Sequence, residues 1–210
     1  MIKIDIGIFP KDLISEKQES GGFFPFAIDG EAPYLYDIFL LERKDEHEVE
    51  EFVSKWMDNL NEFPIVAFFG CYDFQQKEIE NECLSNSIVY TAFKGEGADF
   101  YNKAIVRNTE QFNLIFPYLY ANGSMNNFAS FSLGKDVFSI RHPYIRNMWG
   151  KNKKTETPAV ILKENTTIFW IDYDGDGMVV ISNDTKYSGL TSVIKTLPNE
   201  VTYSIIDNGD

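Results

Sequence analysis

The sequence predicts an α+β protein: a mixed or antiparallel sheet with about three to four helices and a strand-rich C-terminal third. Three observations carry that expectation. Ile2, Ile4, Ile6 and Ile8 occupy every second position, the period of a half-buried strand. Val49, Phe52, Val53, Trp56 and Leu60 recur at helical spacing and form one stripe. The last third alternates short apolar runs with turn residues and centres on a hairpin at Asp172–Gly177.

The elements follow in chain order. Pro10 closes the first strand, and a polar loop follows through Gly22. Residues 23–28 and 34–41 are strand-like and read as a hairpin with a longer loop, because Asp29-Gly30 between them is a turn signal. Residues 45–60 form the clearest helix. Asp45 is its cap, Glu48 completes a capping box, and acidic residues crowd the first turns, where the helix dipole favours them. Pro64 follows, and Ile65–Phe69 is an unbroken apolar run suited to a strand covered on both faces. Asp73 is expected to cap a second helix, with Gln76 in its box position and Ile79 and Cys83 on its inner face. Residues 87–93 make a strand. Asn108 caps a third helix bearing Phe112, Ile115, Phe116 and Leu119, which Pro117 should kink or end near Phe116. Residues 128–133 and 137–141 read as a hairpin across Gly134-Lys135. Strands are expected near 159–162, 167–173, 178–182 and 201–206, with a short helix at Leu190–Leu197.

The stretch Asn147–Thr155 is the most polar and breaker-rich in the chain. It divides an α/β-type N-terminal lobe, 1–146, from a β-rich C-terminal lobe, 155–210. One continuous domain over 1–210 is the alternative.

Composition narrows the function classes. The 210 residues are 44% hydrophobic and 24% charged, so a packed core is expected. The net charge of -13 repels phosphate backbones and anionic membrane surfaces and attracts basic proteins. No apolar stretch has the pattern of a signal peptide or the roughly 18 residues of a membrane span, so the chain is expected to be cytoplasmic, with no membrane partner.

Four groups of residues could carry chemistry. Asp172, Asp174 and Asp176, followed by Gly177, match the opening of a calcium-binding loop. The closing bidentate Glu of such a loop would fall at Asn183, and the flanks are β-rich rather than helical. The pattern therefore reads first as a hairpin turn, with weak calcium binding as the lesser expectation, and no other cofactor is implied. Cys71, between a strand and a helix start, could be a nucleophile if His142 served as its base, but a packed thiol is the simpler reading. Arg141, Arg146, Lys151, Lys153 and Lys154, near Tyr144 and Trp149, form a basic patch. In an acidic chain it reads as a solvated linker rather than a nucleic-acid surface. Residues 42–62 hold eight acidic and three basic residues, which gives the first helix a strongly negative outer face.

No phosphate loop, nucleophile elbow or zinc motif is present in the sequence. The leading expectation is a protein-binding module that masks a basic partner, as bacterial immunity proteins and other inhibitors do, through Glu46, Glu48, Glu50, Glu51 and Asp58. The second is an enzyme or small-molecule binder with a pocket near Tyr72, Asp73, His142 and Arg146.

Overall fold

The computed structural model describes residues 2–13, 23–41, 45–146 and 152–206. Strand β1 (Lys3–Ile8) is followed by β2 (Ala27–Asp29) and β3 (Tyr34–Leu41). Next come α1 (Glu46–Leu60), β4 (Ile65–Cys71), α2 (Asp73–Ser85), β5 (Val89–Lys94), β6 (Phe100–Val106) and α3 (Thr109–Ser124). The remainder comprises β7 (Ala129–Leu133), β8 (Phe138–Arg141), β9 (Tyr144–Arg146), β10 (Asn152–Lys154), β11 (Thr157–Ile161), β12 (Thr167–Ile171), β13 (Gly177–Ser182), the short α4 (Leu190–Ile194) and β14 (Thr202–Ile206).

A nine-stranded sheet in the order β14-β1-β3-β13-β12-β7-β4-β6-β5 forms the centre. Its neighbours are antiparallel except β14, which runs parallel to β1. Strands from either side of the polar stretch near residue 150 alternate in this sheet: β12 and β13 lie between β3 and β7.

Two apolar layers cover it. In β4, Ile65, Ala67, Phe69 and Cys71 face the helices, while Val66 and Phe68 face a smaller sheet of β2, β11 and β8. Both faces of β4, β12 and β13 are therefore buried, which explains their unbroken apolar composition. In the layer between the two sheets, Phe24, Phe26, Phe128 and Phe138 pack around Trp170 and Phe68. On the helix side, Trp56 meets the Phe169 ring edge-on at 5.1 Å and donates its indole N–H to the Thr196 hydroxyl at 2.8 Å. Burying each such large side chain contributes about 1.5–3 kcal/mol.

Four local expectations need correction. Residues 23–28 and 34–41 do not form a hairpin. β3 is sealed between β1 and β13, and β2 crosses to the smaller sheet to pair with β11. Gly30, at φ 99°, makes that passage where an added Cβ would stand 2.8 Å from the Leu162 carbonyl oxygen. β7 and β8 likewise separate into the two sheets, because Val137 and Phe138 fill the second core while β7 pairs with β4 and β12. Helix α3 runs through Pro117 to Ser124: burying Phe112, Phe116, Leu119 and Tyr120 against the sheet outweighs one missing helical hydrogen bond. The cap of α2 is Tyr72 rather than Asp73. Its amide donates to the Gln75 side chain at 3.2 Å, and the Asp73 amide donates to Asp99 at 2.9 Å.

Candidate functional site

Helix α1 forms where the sequence places it. The Asp45 carboxylate accepts from the Glu48 amide at 3.0 Å, and Val49, Phe52, Val53, Trp56, Met57 and Leu60 are buried. That anchoring turns the intervening positions outward. Glu46 and Glu51 are exposed, and Glu48 and Glu50 are half-buried. His47 lies 3.6 Å from Glu50. Asp58 is exposed but has a local task, accepting from the Thr109 hydroxyl at 2.7 Å where α3 begins.

Two hollows flank this acidic face. The first, about 200 Å³, has an apolar floor that includes Ile2, Phe52 and Val201, with Glu48, Glu51 and Glu200 at its rim. The second, about 280 Å³, lies between α1 and α3 and is lined by Glu50, Glu51, Ser54, Phe116 and Pro117, among others. Lys55 spans the first hollow. Its ammonium lies 2.8 Å from Glu51 and 2.8 Å from Glu200. Those two bonds push the lysine pKa up and hold the Glu200 and Glu51 carboxyls below their ordinary range.

The three aspartates of the β12–β13 hairpin take different directions. Asp172 accepts from the Tyr173 amide at 2.7 Å, and Asp174, at φ 60°, accepts from the Asn126 side chain at 3.2 Å. Among the described residues, no three acidic, histidine or cysteine side chains converge in a way that could hold a metal ion.

Asp172 has a different neighbour, Asp37 on β3, which the sequence reading missed. Asp37 is 6% exposed, and its Oδ1 has no hydrogen-bond partner. Burial, then the charge of Asp172, raise its pKa to about 7, against a smaller opposing bond from the Ile38 amide. Asp172 is also raised, by burial first. The signal in the sequence was a charged residue inside the apolar run Tyr34–Leu41; its neighbour is far away along the chain.

Cys71 belongs to a closed polar ring. Its thiol donates to Gln76 Oε1 at 3.3 Å; the Gln76 side-chain amide donates to the Tyr90 hydroxyl. Tyr90 donates to Asn102 Oδ1 at 2.5 Å, and the Asn102 amide donates to Cys71 Sγ at 3.0 Å. Burial pushes the Cys71 thiol pKa up, against the Asn102 bond, so the thiol is not poised as a nucleophile. It faces the helix layer, whereas exposed His142 follows β8 of the smaller sheet, on the other side of the main sheet. Tyr72 stacks on exposed Phe74 at 5.8 Å, and neither hollow described above is lined by Tyr72, Asp73 or His142. The Arg146 side chain lies outside the described residues, as do residues 147–151; Arg141 donates to Asp29 at 2.9 Å.

Comparison with family models, with curated proteins and with solved structures returns no match. Among the described residues no helix is long and apolar enough to cross a membrane.

Proposed function

We propose that this chain is an acidic protein-binding module whose α1 face covers a basic surface of another protein, in the manner of an inhibitor or immunity protein acting in the cytoplasm. One observation carries the reading. Glu46, Glu48, Glu50 and Glu51 project from the first turns of α1, between two hollows, in a chain of net charge -13. Carboxylates around partly apolar hollows suit lysine and arginine side chains, whose stems bury while their cations remain at the rim. The long-range field of such a surface also speeds encounter with a basic partner.

The test is affinity capture from cell extract with the tagged chain and with its Glu46→Lys/Glu50→Lys/Glu51→Lys variant. The expected result is a basic protein retained by the native chain, released as salt approaches about 0.5 M, and absent from the variant. Equal retention by both chains, or binding indifferent to salt, would remove the proposal.

A second reading, a weak cation site at the Asp37–Asp172 pair rather than among the three turn aspartates, is favoured by the unpartnered Asp37 oxygen beside Asp172. Calcium titration by calorimetry tests it: saturating heat at millimolar metal, lost in Asp37→Asn, would support it, and no heat would end it.

A further inference from the structure

Strand β14 is an end strand of the nine-stranded sheet, and no described residue pairs with its outer side. It runs parallel to β1, and the Thr202 amide donates inward to the Ile2 carbonyl. In a parallel pair, alternate residues direct both peptide groups to the same side. The N–H and C=O of Tyr203 and Ile205 therefore point outward.

The side chains repeat the pattern. Tyr203 and Ile205 lie in register with Ile4 and Ile6, which are buried beneath the helices. Yet Tyr203 is 45% and Ile205 62% exposed. Ile8, on the same face of β1, is 58% exposed. The strand Thr-Tyr-Ser-Ile-Ile carries no charge and no proline, the usual devices that keep an edge from pairing. The other end strand, β5, carries Lys94.

The charge beside this edge identifies the occupant. Glu200 stands just before β14, at the rim of the first hollow with Glu48 and Glu51. An extended segment with apolar residues over Tyr203 and Ile205, and a lysine or arginine reaching the hollow, meets both features.

We propose that β14 takes up an extended basic segment of the partner protein as an added strand, with a cationic side chain of that segment entering the hollow between α1 and Glu200. This rests on the acidic-surface reading above and adds a main-chain component to it.

The probe is the acetylated, amidated heptapeptide Lys-Thr-Val-Thr-Val-Thr-Lys, which places both lysines and both valines on one face of a strand. Its control is the same peptide N-methylated at alternate amides, with equal charge but no ability to complete the ladder. Hydrogen exchange of the Tyr203 and Ile205 amides is the readout. The expected result is exchange of both amides slowed about tenfold or more by the plain peptide and unchanged by the methylated one, with the remaining Tyr203 amide unaffected by either peptide in Ile205→Pro. Because Ile205 is at an exposed edge, that variant is checked for native circular dichroism first, and Ile205→Lys serves in its place if the fold is lost. Several results would overturn the proposal. Equal, salt-sensitive binding of both peptides at α1, with β14 exchange untouched, would leave the acidic-surface reading standing and remove the added strand. Exchange at β14 indifferent to both peptides would do the same. Sedimentation of a dimer that Ile205→Lys breaks would assign the edge to a second copy instead.

Discussion

Lys55 joins α1 to Glu200, the residue two before β14, through an ammonium-to-carboxylate contact of 2.8 Å. The contact places the acidic helix, the first hollow and the β14 end of the sheet side by side. It also puts a cation in a surface otherwise suited to receive one. Both partners are solvent-exposed, so the pair is held cheaply and can be exchanged for an incoming lysine or arginine.

Removing that internal cation should therefore favour binding at little cost to the fold. Lys55→Gln is expected to shift the thermal midpoint by about 2 °C or less. Its affinity for a tetralysine peptide should rise roughly twofold to fivefold at low salt, with the gain fading as salt screens the site. Calorimetry at two salt concentrations measures it; unchanged affinity at low salt would show that Lys55 does not compete for the site.

Asp37 should give the protein a recognisable pH dependence. Its folded pKa of about 7 lies above the ordinary carboxyl value of 3.8, so between those values the folded state holds a proton that the unfolded chain has released. Stability from this group is full below pH 4 and is lost as pH rises through about 7. Asp172, shifted in the same direction, adds to the fall. Asp37→Asn should be more stable than the native chain at pH 8 by a few kcal/mol, roughly 2–4, and should flatten the decline between pH 4 and 7. Urea unfolding across that range tests this. A variant less stable at pH 8 would mean that the ionised carboxylate has a favourable partner.

The thiols should be inert in the folded chain. Cys71 and Cys83 are buried, and burial pushes the Cys83 pKa up to about 12. Iodoacetamide at pH 8 should modify the native protein about a hundredfold more slowly than the urea-unfolded chain, which exposes both thiols. Rapid native modification of Cys71 would reopen its nucleophilic reading.

The sequence disclosed what depends on near neighbours. The stripe from Val49 to Leu60, the Asp45 and Asn108 caps and the hairpin at Asp172–Gly177 are local patterns, and each forms as its pattern requires. The acidic face of α1 follows from that stripe, so half of the candidate site was readable directly. Its other half was not. Glu200 reaches Lys55 only because β14 returns to pair parallel with β1, and no local signal specifies such a long crossover. Similarly, Asp29-Gly30 and Gly134-Lys135 looked like hairpin turns, yet both carry the chain from one sheet to the other. A turn residue sets the backbone angle, but burial on two faces decides which strand becomes the neighbour.

The most direct measurement is carboxyl footprinting of the chain alone and with its captured basic partner, using carbodiimide coupling and mass spectrometry. Labelling of Glu46, Glu50 and Glu51 is expected to fall at least about fivefold in the complex, as full occlusion of interface charges requires. Glu80 and Glu164, both exposed elsewhere, should react as before. Undiminished labelling of the α1 carboxylates in a stable complex would contradict the assignment of this helix as the binding face.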